Sequence, residues 1–402
     1  REIEIPGNPK KQQVAVQRKL ALLETLKEDL KQVIKYDVGG QIVASLTLIG
    51  QAYQHMAAAL FNAPLPKGLD AKGIGAYKEG VKQIASPFQE QAIENYVSAI
   101  EKGYRLESYN RWLRTANKEL NNIDGERFPD YGEMAISTTL TDSIGMNDQD
   151  ARAFDRREDT DRASLRKGKK HVRNEDYGRL VKALESGSST KVVNAASHIL
   201  TKDPSNIRAL NALAIFYLED EKIGMSKILL NRALEENSRV AALHNNLGVA
   251  YLKEGERGKA LQKLKQALDL RPSYAIAASN LGSIYIEFKD YSRSIAPLKA
   301  GFKASQEQFK KGESQAIAIA NNYALALTGT GQDPKAEEIY EKIRDLDTRR
   351  IEPLVNYAIL LAKKMEKYEE AMTLISRVKF VSDSPDIVRR MEKLEQTLKA
   401  NQ

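Results

Sequence analysis

The chain has 402 residues, and its 62 lysines and arginines exceed its 54 acidic residues to give a net charge of +8. It contains no cysteine, which excludes disulfide bonds, thiolate metal sites and thiol catalysis. No apolar run reaches the ~18 residues that a membrane-spanning helix needs. Because the sequence begins with Arg1 and not with methionine, we expect a fragment or a processed chain.

Residues 1–121 are predicted to form an N-terminal helical domain. Leucine and isoleucine recur every three or four residues over 14–36, which is the spacing of one helix face, and Gly39-Gly40 is predicted to end that helix. A second helix is predicted over 41–61, where Ile49-Gly50 is followed by Tyr53.

The partner of this second helix is predicted to lie further along the chain. A short helix over 70–84 is interpreted as part of an insertion, because the partner helix is expected to begin only after Pro87. That helix carries Tyr96, and residues 41–107 are therefore interpreted as a hairpin split by an insertion. Trp112, the only tryptophan, is predicted to hold a helix end against the core.

Residues 122–173 are predicted to be a charged linker. Glycine and proline interrupt this stretch, and residues 151–173 hold nine arginines and lysines against four acidic residues. Low hydrophobicity with dense charge favours a flexible segment, and a helix over 148–170 would lack a strong apolar stripe. The linker is either a solvated tether or a contact surface for an acidic protein, a nucleic acid or an anionic membrane.

From residue 174 onwards one pattern repeats with a period of 34 residues. A leucine is followed at once by a small residue and, three positions after that, by a tyrosine. The leucine and the tyrosine share one helix face, and the small residue between them lets a second helix approach closely. The pattern recurs at Leu213-Ala214 with Tyr217, at Leu247-Gly248 with Tyr251, and at Leu281-Gly282 with Tyr285.

This pattern resembles the tetratricopeptide repeat (TPR), in which helices A and B of each unit pair in antiparallel fashion. The resemblance implies an all-α fold, a right-handed α-solenoid of stacked helical hairpins over 174–384 that ends in a capping helix over 385–402. The units are expected at 174–206, 207–240, 241–274, 275–308, 317–350 and 351–384, with an eight-residue insertion at 309–316.

One asparagine recurs in helix A, directly before the leucine–small pair or its equivalent. It is found in units three to six, while unit two carries its asparagine one residue earlier. In TPR superhelices helix A lines the concave groove, and the resemblance implies that an asparagine ladder there binds the backbone of an extended peptide. The alternative is that each asparagine bonds a neighbouring helix and sets the repeat geometry. The predicted peptide-binding residues are Asn211, Asn246, Asn280, Asn322 and Asn356.

A second kind of TPR site and a catalytic site are both disfavoured. The family's two-carboxylate clamp needs a lysine and an asparagine where unit three has Asn245 and Val249. The four histidines have no metal-ligand spacing, and His244 is predicted to pack in the core. No nucleophile with an orienting base and no phosphate loop is found, so we expect neither an enzyme nor a cofactor or metal site.

The predicted function is a protein-interaction scaffold that holds extended polypeptide in the TPR groove. Two alternatives stay open, namely nucleic-acid or anionic-surface binding through residues 151–173, and the non-catalytic part of a larger enzyme. Residues 51–120, with the proline-rich turn and the stretch Tyr109-Asn110-Arg111-Trp112, also resemble the ends of long envelope TPR proteins, including those of gliding motility. This resemblance implies a place in the bacterial periplasm or at the outer membrane, with the cytoplasm as the alternative.

Overall fold

The structure is a computed structural model that describes residues 5–6, 9–66, 68–142 and 172–400. Over these residues all regular secondary structure is helical, and the all-α fold predicted from the sequence is confirmed. The chain divides into two compact units, Arg1–Tyr131 and Gly132–Gln402, which are described separately.

In its described part, the first unit contains four helices: Pro9–Ile34, Gly39–Phe61, Ala71–Arg105 and Arg111–Ile123. The first helix ends before the glycine pair, and the chain turns at Asp37, whose φ is 53°. Gly39-Gly40 therefore begins the second helix and does not end the first one, contrary to the prediction.

The expected split hairpin is wrong, because Ala71–Arg105 is one continuous helix that passes through Pro87. Proline removes a single helical donor, and the carbonyl group that loses it belongs to Gln83, an exposed residue to which water can donate instead. The helix is held against its neighbour by a close approach, since a Cβ on Gly50 would lie 2.7 Å from the ring of Tyr96.

The helix that follows is anchored to the core by Leu113 and not by Trp112. Leu113 is fully buried, whereas Trp112 is only half-buried and lies beneath the guanidinium group of Arg111, 4.8 Å from the ring centroid. The side chain of Asn110 caps this helix by accepting hydrogen bonds from the amides of Trp112 and Leu113.

Within the residues that the structure describes, the second unit contains six helical hairpins, each formed by a helix A and a helix B. Neighbouring hairpins pack side by side, as expected for a TPR solenoid, in which each repeat buries its apolar face against the next. The hairpins are Asn174–Glu185 and Ser189–Lys202, Ile207–Glu219 and Ile223–Glu236, Ala241–Glu254 and Arg257–Leu270, Ala275–Glu287 and Tyr291–Ala304, Ser314–Gly329 and Asp333–Leu346, and Ile351–Lys363 and Tyr368–Val381.

Small residues set the distance between helices A and B. A Cβ on Gly282 would lie 2.5 Å from Cγ of Leu298, so only glycine allows this approach in unit four. The extra residues between units four and five form the short helix Gln306–Lys310, whose Phe309 is buried, and a turn at Gly312.

The last helix, Pro385–Ala400, covers the end of the sixth hairpin. Met391, Leu394 and Leu398 are buried, and Val388 is half-buried. Glu395 accepts hydrogen bonds from Lys379 of the preceding helix and from Lys399, both at 2.7 Å, and these partners lower the pKa of its carboxyl group to about 2.

The predicted linker over 122–173 is not one solvated tether. Its first residues, to Tyr131, belong to the first compact unit, and residues 132–142 belong to the second. The predicted helix over 148–170 and nearly all of the basic stretch 151–173 lie outside the described residues.

Candidate functional site

Residues 132–142, which we call the groove segment, run across the helices A of the second unit. The segment has no regular secondary structure, and its side chains alternate in exposure. Residues 135, 137 and 139 are exposed, whereas 138, 140 and 142 are buried and 134 and 136 are half-buried. This two-residue period is that of an extended chain with one face turned towards the protein.

Four asparagines, one from each of units three to six, contact the backbone of this segment. We call them the ladder asparagines. Each accepts a hydrogen bond from the N–H of one segment residue and donates one to the C=O of the same residue. Asn356 thus binds Met134, Asn322 binds Ile136, Asn280 binds Leu140 and Asn246 binds Asp142, at distances of 2.6–2.9 Å.

A second set of asparagines, the companion asparagines Asn211, Asn245 and Asn321, binds the same carbonyl groups from the neighbouring repeat. They donate to the carbonyl oxygens of Asp142, Leu140 and Met134 at 2.9, 2.8 and 3.1 Å. Their own side-chain oxygens accept hydrogen bonds from Asn246, Asn280 and Asn356 at 2.8–2.9 Å. Three carbonyl groups of the segment therefore each receive two amide donors.

Together the two sets place eleven amide–backbone hydrogen bonds on four residues of the segment. All seven asparagines are buried. A buried amide that loses its partners costs ~1–3 kcal/mol for each unsatisfied group, so the segment and the asparagines depend on each other.

The register of the segment follows the spacing of the repeats. Ladder asparagines 34 residues apart bind segment residues two positions apart, as Asn356 and Asn322 do. Asn322 and Asn280 are 42 residues apart because of the insertion between units four and five, and they bind residues four positions apart. At the skipped position the hydroxyl group of Thr138 donates to the carbonyl oxygen of Ser279 at 3.0 Å.

Two side chains of the segment enter the array near its middle. Leu140 lines a cleft of about 210 Å³ between units four and five. The carboxylate of Asp142 accepts a hydrogen bond from the hydroxyl group of Tyr274 at 2.6 Å and lies 3.6 Å from Arg271.

The start of the segment contacts the last helix. The guanidinium group of Arg390 donates to the carbonyl oxygen of Gly132. Gly132 has a φ of 76°, in the left-handed region, and a Cβ there would collide with Arg390, so both the backbone and the contact require glycine.

One titratable side chain lies beside the companion asparagines. His244 of helix A in unit three is buried, and its Nε2 lies 2.8 Å from the carbonyl oxygen of Ser238. Burial lowers the pKa of His244 below its ordinary value of 6.5. The imidazole is therefore held neutral, in agreement with a packing role.

The structure brings all five predicted asparagines together on one face. Asn211 differs from the other four because it belongs to the companion set, which explains why it precedes the ladder position by one residue. Asn245 and Asn321 are not among the predicted peptide-binding residues, and Asn245 entered the prediction only as a departure from the carboxylate clamp. The doublets Asn245-Asn246 and Asn321-Asn322 were the signal for a second set of amides.

Comparisons with known proteins agree with this fold. Residues 241–274 match the family model of the tetratricopeptide repeat. Together with the stacked hairpins, this shows that the chain carries TPRs and folds as a TPR solenoid, as the sequence pattern predicted. No curated protein sequence matches the chain significantly.

Several solved structures are similar to part of the chain. A tetratricopeptide repeat protein from Parabacteroides merdae is 18% identical, with a TM-score of 0.40 over 56% of this chain and 85% of its own. YrrB, described as a TPR protein with an unusual peptide-binding site, is 14% identical, with a TM-score of 0.43 over 50% and 99%. Pseudomonas aeruginosa pilF is 22% identical, with a TM-score of 0.40 over 50% and 89%.

Proteins built from TPRs are generally scaffolds for protein–protein interaction. Within the described ranges no group of histidine, cysteine and acidic side chains has the arrangement of a metal site. None of the described helices is both long enough and apolar enough to span a bilayer.

Proposed function

We propose that the chain is an interaction scaffold whose TPR groove binds an extended polypeptide through the polypeptide backbone. The observation that supports this is the set of eleven hydrogen bonds from seven asparagines to the groove segment. Every residue except proline offers the N–H and C=O groups that a ladder asparagine binds, so the same array accepts many sequences.

The groove segment acts in this proposal as an internal occupant that a partner replaces. It is tethered to the array, so a free peptide must compete with an effective concentration of about millimolar. The alternative is that the asparagines serve only to fix the chain's own segment. The two functions differ in whether the groove accepts a second polypeptide.

A full-length variant with a weakened segment makes the groove accessible. In this open chain, Ile136→Pro and Leu140→Pro remove two N–H groups that donate to ladder asparagines, and Asp142→Ser removes the segment's buried carboxylate. The matched control chain carries Ala135→Pro, Thr139→Pro and Thr141→Ser, between the residues that the asparagines bind.

The probe is a fluorescent synthetic peptide with the sequence of residues 132–142. We expect the open chain to bind it at least about 100-fold more tightly than the unmodified chain or the control chain. Adding Asn246→Ala and Asn280→Ala to the open chain should abolish this binding. The proposal fails if the open chain keeps its helix content and still does not bind the peptide.

A pull-down from the native source, with the open chain as bait, then identifies proteins that bind the groove. Proteins that the open chain enriches, and that the same chain with Asn246→Ala and Asn280→Ala does not, bind through the ladder asparagines. Identical sets of captured proteins would contradict a role of the groove in recruitment.

We further propose, from the resemblance of residues 51–120, that the scaffold belongs to an assembly of the bacterial envelope. The resemblance rests on the proline-containing sequence of residues 62–68 and on the stretch that includes Trp112. Fractionation of the native cells followed by immunoblotting tests this location in the envelope. Recovery of the protein in the cytoplasmic fraction alone would overturn the proposal.

A further inference from the structure

Backbone contacts bind a polypeptide without selecting its sequence, so any preference of the groove must come from side-chain sites. Three side chains of the groove segment are buried: Thr138, Leu140 and Asp142. Threonine donates its hydroxyl to a backbone carbonyl group, a contact that serine can also make. The leucine and the aspartate make contacts that are more demanding in shape and charge.

The carboxylate of Asp142 lies in a buried polar site at the junction of units three and four. Asp142 is 8% exposed, and its Oδ2 accepts a hydrogen bond from the hydroxyl group of Tyr274, which is itself buried, at 2.6 Å. The nearest guanidinium nitrogen of Arg271 lies 3.6 Å from the same oxygen. A carboxylate is buried at this depth only when charged or donating groups compensate for its lost hydration.

Arg271 is oriented towards this site by an aromatic ring. Its guanidinium carbon lies 3.5 Å from the ring centroid of Tyr274, the residue that also donates to the carboxylate. Stacking of guanidinium on an aromatic ring restricts the arginine side chain, and its N–H groups point outwards in the plane of the guanidinium group. The two residues therefore form one unit that presents donors and positive charge to the groove.

The register between this anion site and the cleft beside Leu140 is fixed. Asn246 and Asn280 bind the backbones of Asp142 and Leu140, so residues two positions apart are held at the site and at the cleft. Leu140 is itself part of the wall of this cleft, together with Ile276 and Ile319, so a branched aliphatic side chain suits this position. A polypeptide shifted by one residue would turn both side chains away from the array.

We infer that the groove selects extended polypeptides that carry a carboxylate side chain two residues after a branched aliphatic one. Arg271 and Tyr274 are the residues that determine this specificity, and the groove segment itself is the first example of such a ligand. The inference rests on the proposed function, because it concerns what the same groove prefers.

The test uses the open chain and three fluorescent peptides based on residues 132–142. The first has the natural sequence, the second has asparagine in place of the aspartate, and the third exchanges the last two residues so that the aspartate moves by one position. We expect the natural peptide to bind at least about tenfold more tightly than either of the others.

Substitutions in the array identify the source of the preference. Arg271→Gln or Tyr274→Phe in the open chain should lower the affinity for the natural peptide to that for the asparagine peptide, and should leave the affinity for the asparagine peptide unchanged. The preference should also weaken when the salt concentration rises. An equal loss of affinity for both peptides would show a structural role only and would overturn the inference.

The outcomes separate this inference from the proposed function. Equal binding of all three peptides to the open chain would overturn the carboxylate preference and leave backbone recognition in place. Binding of none of them, by an open chain that keeps its helix content, would overturn both.

Discussion

Asn246 donates one amide hydrogen to the side-chain oxygen of Asn211, at 2.8 Å, and the other to the carbonyl oxygen of Asp142, also at 2.8 Å. The same side chain therefore joins two consecutive repeats and binds the groove segment. Both asparagines are fully buried, and each polar atom of Asn246 has a partner. The same hydrogen-bond network can therefore set the geometry of the repeats and bind an extended polypeptide.

The network predicts an alternating pattern of hydrogen exchange along the groove segment. The amides of Met134, Ile136, Leu140 and Asp142 donate to asparagine oxygens and should exchange slowly, whereas those of the exposed residues 135, 137 and 139 should exchange fast. Residue-resolved hydrogen–deuterium exchange with mass spectrometry measures this pattern.

The open chain provides the control for that measurement. Its segment should lose protection, while the amides in the middle of helix A of unit three should keep theirs. Uniformly fast exchange over 132–142 in the unmodified chain would show that the asparagines do not hold the segment in solution.

Replacing one ladder asparagine should destabilise the second unit. Asn246→Ala leaves the side-chain oxygen of Asn211 and the amide of Asp142 without a partner in a buried place, at a cost of about 3 kcal/mol. Urea unfolding followed by circular dichroism should show a lower midpoint. The matched control is Asn231→Ala on the exposed face of helix B in unit two, which should change the midpoint little.

The repeats and the ladder asparagines could be predicted from the sequence, whereas the occupant of the groove could not. A period of 34 residues is a local signal, since each leucine, glycine and tyrosine packs within its own hairpin or the next. The segment over 132–142 has no such periodicity of its own. Its partners lie more than 100 residues away except for Asn211, and its lack of a long apolar pattern predicts a linker.

The error at Pro87 has a different origin. Proline disfavours helix on average, but the penalty concerns one donor, and here the carbonyl group that loses it belongs to Gln83, an exposed residue. A sequence rule that ends every helix at proline cannot include the packing of the residues on either side, such as Tyr96 against Gly50.

Two glycines in the array should respond to alanine in opposite directions. Gly282→Ala places a methyl group 2.5 Å from Cγ of Leu298, and we expect the overpacked contact to cost about 1–3 kcal/mol. Gly178→Ala, within a helix and with open space around the new methyl group, should stabilise by about 0.5–1 kcal/mol through the lower entropy of the unfolded chain. Thermal unfolding of both variants checks the two signs, and a loss of stability at both positions would contradict the packing argument.

The stability of the array should fall in mildly acidic solution because of His244. Its pKa in the folded chain lies below the ordinary value of 6.5, chiefly because burial disfavours the imidazolium ion. Between these two pKa values the unfolded chain binds more protons than the folded one, so the free energy of unfolding rises with pH. The contribution of His244 is complete above pH 6.5 and is lost as the pH falls through the lowered pKa of the folded state.

The free energy of unfolding should therefore depend less on pH, below 6.5, in His244→Gln than in the unmodified chain. Urea unfolding at a series of pH values measures this slope. The matched control is Asn231→Ala, at an exposed position on helix B of unit two, which changes no titratable group and should keep the slope of the unmodified chain. If His244→Gln also keeps that slope, the imidazole is not buried in the neutral form, and the packing of helix A in unit three differs from that described here.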